Sequence, residues 1–208
     1  LILTSFIIFE NTINNNYILN LSSDWMCTMY KVDLNNPKKV HFIGIGGISM
    51  SGLAELLYTM GFEVTGSDVK KSKNTIHLEK LGINIAYNQV AKNIISDIDF
   101  VVYTSAVKED NPEYQAALES GLTVMDRAQL MGQIMLNYPD AIAVSGTHGK
   151  TTTTSMISLV LLEGHLDPTV SLGGILDDIG GNIRLGESDH FITEACEYTD
   201  SFLKFNPD

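Results

Sequence analysis

The sequence predicts an α/β protein: a parallel sheet with helices on both faces, followed by a second α/β unit organised around a phosphate-binding loop. Short apolar runs alternate with helical patterns over most of the chain, which is the order typical of a parallel sheet. One glycine-rich turn, at 44–49, follows the first apolar run. A second, at 145–152, separates the apolar run Ala141 to Val144 from an amphipathic stretch at 156–162.

Five apolar runs predict the strands of the first sheet. They lie at Val40 to Ile43, Phe62 to Gly66, Ile83 to Ala86, Ile98 to Tyr103 and Leu122 to Met125. Helical periodicity, capping residues and terminal glycines predict the helices between them. In chain order, these helices run from 53 to Gly61, from Asn74 or Thr75 to Gly82, from Asn111 to Gly121, and from the capping box of Asp126 and Gln129 to about Leu136.

The segment 137–140 has the composition of a linker, and we expect a domain boundary near 137. Residues 138–208 contain two convincing strands, Ala141 to Val144 and Phe191 to Thr193, glycine-pair turns at 173–174 and 180–181, and a long helix at 194–203. Because a nucleotide-binding sheet usually has about five or six strands, we expect this second domain to be truncated. Residues 1–28 are interpreted as a non-native or disordered extension, with the natural start at Met26 or Met29 and a first domain at 29–137.

Composition excludes several classes of function. The chain carries 25 Asp and Glu against 13 Lys and Arg, a net charge of −12, and it has no basic run, so we expect no nucleic-acid partner. No apolar stretch reaches the ~18 residues of a membrane span, so we expect no membrane insertion. Cys27 and Cys196 form neither a metal-ligand pattern nor a disulfide framework, which favours a cytoplasmic protein. The sequence does not specify an oligomeric state.

The second glycine-rich turn has the residue types that bind a nucleotide phosphate. Glycines let successive N–H groups converge on an anion, and the following helix start adds partial positive charge. Lys150 can reach a terminal phosphate, and Thr151 offers a hydroxyl to Mg²⁺. His148 is either a catalytic base or a residue that shapes the loop. The predicted phosphate-loop residues are Gly146, Thr147, His148, Gly149, Lys150, Thr151 and Thr152.

Glu194 is the predicted carboxylate partner of this loop. It ends an apolar strand, the position from which an acidic residue commonly reaches the magnesium of a phosphate loop, and it should face Thr151 across the sheet edge. Glu197 and Asp200 are nearby alternatives.

The first glycine-rich turn resembles a dinucleotide fingerprint and predicts a Rossmann-like first domain. Gly44 and Gly46 occupy fingerprint positions, but Ser49 stands where the third glycine is usual. Asp68, at the end of the second strand, could accept a ribose hydroxyl or could cap a turn. Ser105 occupies the equivalent end of the fourth strand.

Both turns together resemble the Mur ligase family of bacterial cell-wall synthesis. The residues that carry the resemblance lie at 41–47 (HFIGIGG), 50–54 (MSGLA), 66–68, 104–107, 111–113, 124–128 and 146–154 (GTHGKTTTT). The resemblance implies an amide ligase that uses ATP to convert the carboxylate of UDP-N-acetylmuramate into an acyl phosphate, which L-alanine then attacks. It also implies that the 208-residue chain binds UDP-sugar weakly or moderately and does not turn over.

Site roles are carried over from the family by position. Lys150, Thr151 and Glu194 are implied to be catalytic, with Thr151 and Glu194 on Mg²⁺ and the loop from Gly146 to Thr152 on ATP. The residues implied to hold the UDP part are Gly44, Gly46, Gly47, Ser49, Met50, Asp68 and Ser105.

Three other readings stay open. A sister ligase that attaches recycled peptide to UDP-N-acetylmuramate is expected to carry a cysteine in the first turn, and residues 44–47 contain none. A nicotinamide-dependent oxidoreductase would account for Gly44, Gly46 and Asp68 but leaves the loop around Lys150 unexplained. A non-catalytic nucleotide-binding module is the third.

Overall fold

The computed structural model describes residues 31–195. The interpretation of residues 1–28 and the helix expected after Glu194 lie outside the described residues. Within them, two sheets follow one another along the chain, and each glycine-rich turn leads out of one of them.

The first sheet is the predicted one. All five strands are parallel, in the order β3-β2-β1-β4-β5. Strands β2 and β3 are added on one side of β1, and β4 and β5 on the other. This change in the direction of winding leaves a crevice at the carboxyl ends of β1 and β4. The strands are β1 (Lys39–Ile43), β2 (Glu63–Ser67), β3 (Asn84–Ala86), β4 (Phe100–Tyr103) and β5 (Thr123–Asp126). The helices of this part are α1 (Ile48–Thr59), α2 (Lys73–Leu81), α3 (Pro112–Glu119) and α4 (Arg127–Met135).

Two of the three predicted capping residues are confirmed, and α1 begins at Ile48, five residues before the expected start at 53. Asn111 caps α3, and Asp126 forms a capping box with Gln129 at the start of α4. The predicted cap of α2, Asn74 or Thr75, was wrong by two or three residues, because Ser72 is the cap and forms the capping box with Thr75. Ser72 is the cap because its short side chain places a hydroxyl oxygen where it accepts the Thr75 N–H.

The second sheet contains more strands than expected. It has four, in the order β6-β9-β7-β8, with β8 antiparallel to β7. Its elements are β6 (Asp140–Val144), α5 (Lys150–Glu163), β7 (Thr169–Leu176), β8 (Gly181–Arg184) and β9 (His190–Glu194). The turn expected at 173–174 was wrong, since both glycines lie inside β7. The pair at 180–181 does connect β7 to β8, with Gly180 at φ +74°.

One apolar core joins the two sheets. It extends from Phe42 and Phe100 in the first sheet to Ala141 and Phe191 in the second. The ring of Tyr138, in the segment between the sheets, packs on Phe191 at a centroid distance of 5.0 Å. The domain boundary near 137 therefore stays a prediction.

Contacts between α1 and β8 fix how the two sheets sit together. The Asn182 amide donates a hydrogen bond to the Ile48 carbonyl over 3.3 Å, and it lies directly over Gly52 in α1. Because α1 starts at the first glycine-rich turn and β8 is paired with β7, this contact links the surroundings of both turns.

Candidate functional site

The first glycine-rich turn is held by hydrogen bonds from its own backbone. The N–H groups of Gly44 and Ile45 both donate to the Ser67 carbonyl, over 2.9 and 3.0 Å. The Gly46 N–H donates to Oδ2 of Asp68 over 2.8 Å. The turn between β1 and α1 is thus attached to the carboxyl end of β2 at three points.

Glycine is required at two positions of this turn. Gly44 has φ +82°, a backbone conformation that residues other than glycine rarely adopt. At Gly46 a Cβ would lie 2.7 Å from Oδ2 of Asp68 and 2.9 Å from Cγ2 of Thr75. The side chains of Asp68 and Thr75 therefore exclude any residue larger than glycine at position 46, whether or not a ligand is bound.

Asp68 and Asn74 together clamp Gly46. Asp68 accepts the Gly46 N–H, and the Asn74 amide donates to the Gly46 carbonyl over 2.9 Å. Asn74 was expected only as a helix start, and its contact with the turn was missed because it depends on how α2 packs against α1. One carboxylate oxygen of Asp68 is committed to this clamp, and the role of Asp68 toward a ribose stays a prediction.

A cavity of about 590 Å³ opens beside the turn at the crevice of the first sheet. Of the predicted residues, Gly44, Gly47 and Asp68 line it. The sequence did not single out the other lining residues as ligand contacts. These are Val69, Gln89, Thr104, Ala106, Val107, Lys108, Asp110, Asn111 and Pro112.

The remaining predicted residues of this site lie around the cavity. Ser105 is exposed in the turn after β4, between the lining residues Thr104 and Ala106. Ser49 is half-buried in the first turn of α1, and Met50 is buried in the core. A contact of Met50 with a ligand would therefore have to use its backbone.

Burial raises the pKa of Tyr103, at the end of β4, to about 12, and a hydrogen bond with Tyr114 adds to the effect. A tyrosine phenol with an ordinary pKa of about 10 is already neutral at physiological pH, so the shift leaves the charge of Tyr103 unchanged there.

The second turn closes on itself through Lys150. The Lys150 ammonium donates to the Gly146 carbonyl over 2.6 Å, which draws the first glycine of the loop toward the start of α5. Gly149 is the N-cap of α5 at φ +78°. Thr147, His148 and Thr152 are exposed, so the question of whether His148 is a base or shapes the loop stays open.

Glu194 lies where the sequence predicts it. Its Oε2 accepts the hydroxyl hydrogen bond of Thr151 over 3.0 Å, and its Oε1 accepts the N–H of Gly173 over 2.7 Å. A Cβ at Gly173 would lie 3.1 Å from Oε2, and one at Gly174 would lie 3.3 Å from Cγ2 of Thr151. The two glycines allow β7 to pass close to the side chains of Thr151 and Glu194. Their role was missed because glycine pairs ordinarily signal turns.

The donors of this corner suit a hard cation. Carboxylate and hydroxyl oxygens are the ligands that Mg²⁺ prefers, together with water and nucleotide phosphates. No group of three or more His, Cys, Asp or Glu side chains within residues 31–195 could hold a metal by itself. The corner offers one carboxylate and one hydroxyl, which suits an ion that takes few protein ligands and completes its shell with water and phosphate.

The two helices that follow the glycine-rich turns, α1 and α5, differ from the other three helices in how they begin. Helices α2, α3 and α4 each begin with a side-chain cap, from Ser72, Asn111 and Asp126. Helices α1 and α5 begin at Gly47 and Gly149, and neither start has a side-chain cap. Their first N–H groups lack partners within the helix and carry the positive end of its dipole, which suits an anion.

Helices long and apolar enough to span a bilayer do not occur in the described part of the chain.

Comparison with known proteins matches both halves of this arrangement. Residues 39–139 match the Mur ligase family, catalytic domain. Proteins named UDP-N-acetylmuramate–L-alanine ligase are 63% identical in Lachnoclostridium phytofermentans and 59% identical in Agathobacter rectalis, in each case over 179 residues and 86% of this chain. The chain spans 38% and 39% of the length of these relatives.

Two solved structures have the same fold. The UDP-N-acetylmuramate-alanine ligase of Thermotoga maritima is 37% identical, with a TM-score of 0.75 over 82% of this chain and 40% of that protein. A ligase of Neisseria meningitidis that joins UDP-N-acetylmuramate to L-alanyl-γ-D-glutamyl-meso-diaminopimelate is 33% identical, with a TM-score of 0.72 over 78% of this chain and 54% of that protein. The aligned relatives span both glycine-rich turns, and residues 39–139 of this chain form a domain of the Mur ligase family.

Proposed function

We propose that this chain serves the ATP-dependent ligation of L-alanine to UDP-N-acetylmuramate, in the cytoplasm. The observation that carries the proposal is the pair of uncapped, glycine-started helices, each beside a strand-end carboxylate. Two separate phosphate sites in one chain suit a reaction between two phosphorylated substrates. The names of relatives 58–63% identical to this chain supply the identity of those substrates.

The UDP part is assigned to the cavity of the first sheet. The N–H groups of Gly44, Ile45 and Gly46 already have acceptors, so they are not the donors for a diphosphate. The start of α1, at residues 48–50, offers N–H groups and the Ser49 hydroxyl instead. Asp68 and Ser105 are proposed to contact the nucleoside from the ends of β2 and β4.

ATP is assigned to the loop from Gly146 to Thr152. Lys150 and the start of α5 would neutralise charge on the phosphates, and Thr151 and Glu194 would hold Mg²⁺. When bound, the ion would lower the cost of charge that develops on the transferring phosphoryl group. The Lys150 ammonium has three N–H donors, so it can donate to a phosphate oxygen while it keeps its hydrogen bond to the Gly146 carbonyl.

In the proposed reaction, a carboxylate oxygen of UDP-N-acetylmuramate attacks the γ-phosphorus of ATP and ADP leaves. The amine of L-alanine then attacks the acyl carbon, the C–O bond to phosphate breaks, and the amine loses its proton. This chain supplies binding and charge neutralisation for the first step. No described residue is assigned to the amine.

The peptide-attaching ligase is the nearest alternative, and fold does not separate it, since the TM-scores of the two kinds of neighbour are 0.75 and 0.72. Sequence identity favours L-alanine, because the solved L-alanine ligase is 37% identical and the solved peptide ligase is 33% identical, and a relative named for L-alanine is 63% identical. A nicotinamide cofactor would leave the Thr151 and Glu194 corner without a role.

Calorimetric titration of the 208-residue chain tests the two assigned sites. We expect binding of UDP-N-acetylmuramate, Mg²⁺-dependent binding of ATP, and no binding of NAD. Glu194→Gln should weaken ATP binding about tenfold or more in the presence of Mg²⁺, and it should leave UDP-N-acetylmuramate binding unchanged. Binding of NAD in place of the UDP-sugar would contradict the proposal.

Turnover is tested in a chimera with the L. phytofermentans relative, of whose length this chain spans 38%. In the chimera, residues 38–195 of this chain replace the matching part of that relative. We expect phosphate release that depends on both UDP-N-acetylmuramate and L-alanine. Dependence on the tripeptide instead of L-alanine would select the peptide ligase.

A further inference from the structure

A buried polar network lies beneath the first-sheet cavity and has no part in the proposed chemistry. Its centre is Glu113, whose side chain is 0% exposed, next to His41, whose side chain is 4% exposed. A fully buried carboxylate is costly unless its oxygens are satisfied, so its partners indicate what it is for.

Three donors face the Glu113 carboxylate. His41 Nε2 lies 2.8 Å from Oε1, and the Asn93 amide donates to the same oxygen over 2.9 Å. The Ser67 hydroxyl donates to Oε2 over 2.6 Å. The other ring nitrogen of His41 lies 2.8 Å from the Thr65 hydroxyl. This set of donors matches a group that only accepts hydrogen bonds, as a carboxylate does.

The order of these contacts excludes nucleophilic catalysis. In a serine–histidine–acid arrangement, the hydroxyl bonds to the imidazole, and the acid bonds to the far side of the ring. Here the Ser67 hydroxyl bonds to the carboxylate, and His41 bonds to the same carboxylate from another direction. Ser67 is itself 0% exposed, so no substrate reaches it.

Glu113 and two of its partners, Ser67 and Asn93, are each connected to a different wall of the cavity. The carbonyl of Ser67 accepts the N–H groups of Gly44 and Ile45, so Ser67 holds the glycine-rich turn. Glu113 is in the first turn of α3, whose start at Asn111 lines the cavity. Asn93 also donates to the Asn88 carbonyl over 2.8 Å, which holds the segment before it.

A second contact ties that segment to α3. The Asn111 amide donates to Oε1 of Gln89 over 2.8 Å, and both residues line the cavity. The glycine-rich turn, the start of α3 and the segment at 88–93 therefore converge on one carboxylate.

We propose that Glu113, with His41, Ser67 and Asn93, forms a set of positioning residues that fixes the width of the cavity for a nucleoside diphosphate. The proposal rests on the proposed function, because it takes the UDP part as the occupant of this cavity. None of the four touches the reacting groups. They act through the backbone of the glycine-rich turn and through the start of α3.

The test measures UDP and Mg²⁺–ATP affinity by calorimetry in the 208-residue chain and its variants. Glu113→Gln and Ser67→Ala should each weaken UDP binding about tenfold or more, the change expected when a charge-assisted hydrogen bond is lost. The double variant should be little worse than either single variant, because both remove the same link. ATP affinity should not change in any of them. Glu119→Gln, on the exposed face of α3, is the matched control and should bind UDP like the unaltered chain.

The outcomes separate a positioning role from a purely structural one. A lower melting temperature in Glu113→Gln and Ser67→Ala with unchanged UDP affinity would overturn the inference and leave the proposed function intact. If Glu113→Gln does not fold, Asn93→Ala, which keeps the carboxylate and its other two donors, must still weaken UDP binding, and unchanged affinity would overturn the inference. An unaltered chain that binds ATP but neither UDP nor UDP-N-acetylmuramate would refute the proposed function, and the inference with it.

Discussion

At the scale of single residues, the same interaction, a hydrogen bond between a carboxylate and a glycine N–H, occurs beside both glycine-rich turns. A carboxylate at the end of a strand, Asp68 on one sheet and Glu194 on the other, accepts an N–H from a glycine of a neighbouring segment, over 2.8 and 2.7 Å. In both cases a Cβ on that glycine would come within 2.7 to 3.1 Å of a carboxylate oxygen. The hydrogen bond thus orients the carboxylate without a ligand. Because the two groups lie so close together, only glycine fits beside the carboxylate.

Gly46→Ala tests this interaction by stability. The new methyl group would overlap Asp68 and Thr75, so the carboxylate must move and lose its hydrogen bond. We expect the free energy of unfolding to fall by about 1–3 kcal/mol, the usual range for overpacking. Gly181→Ala is the control, because a Cβ there meets nothing within 4 Å. Urea titration should show the control within about 0.5 kcal/mol of the unaltered chain, and equal losses in both variants would refute the argument.

At the scale of elements, the sequence predicts what depends on local pattern. All five strands of the first sheet and the capping residues Asn111 and Asp126 follow from apolar runs and cap chemistry. The strands β7 and β8 do not, because glycines interrupt β7 and the four residues of β8 contain a single apolar side chain, that of Ile183. Their formation depends on pairing with β9 and with each other, which no local pattern encodes.

The connection between α5 and β7 is held to β8 by Asp167. The residue has φ +47°, pairs with the Arg184 guanidinium, and accepts the Glu187 N–H over 2.8 Å. The Arg184 contact, followed by that N–H, holds the pKa of the Asp167 carboxyl below its usual range. Since the pKa is lower in the folded state than in the unfolded chain, the stabilisation is present above about pH 4 and is lost as the pH falls through the folded value.

Asp167→Asn should therefore lower the melting temperature at pH 7 by on the order of a few degrees, and the difference should shrink below about pH 4. Asp178→Asn, at an exposed position of the turn after β7, provides the comparison and should follow the unaltered chain at both pH values. Differential scanning calorimetry across this pH range measures the effect. A difference that persists undiminished at pH 3 would mean that Asp167 acts through its shape and not through its charge.

At the scale of the whole molecule, the candidate site is only partly encoded in readable motifs. The contact of Thr151 with Glu194 follows from the sequence, because the carboxyl ends of parallel strands meet at one sheet edge. The contacts of Asn74 with Gly46, of Gly173 with Glu194 and of Glu113 with Ser67 do not, since each joins residues 21 to 46 positions apart through the packing of separate elements. Motifs locate the two glycine-rich turns, and tertiary packing determines their shape.

The two sheets should unfold together, because their core is continuous and α1 packs on β8. Gly52→Leu tests this coupling. A Cβ at Gly52 would lie 3.1 Å from the Asn182 amide and 3.6 Å from Cβ of Ile183, so a leucine must push β8 away from α1. We expect overpacking to lower the free energy of unfolding by about 1–3 kcal/mol. The unaltered chain should show a single melting transition, and the variant should show two, because the second sheet loses its support from α1. Thr59→Leu, at an exposed position near the end of the same helix, should keep one transition. If the Gly52 variant melts in one step at an unchanged temperature, the α1–β8 contact does not couple the sheets.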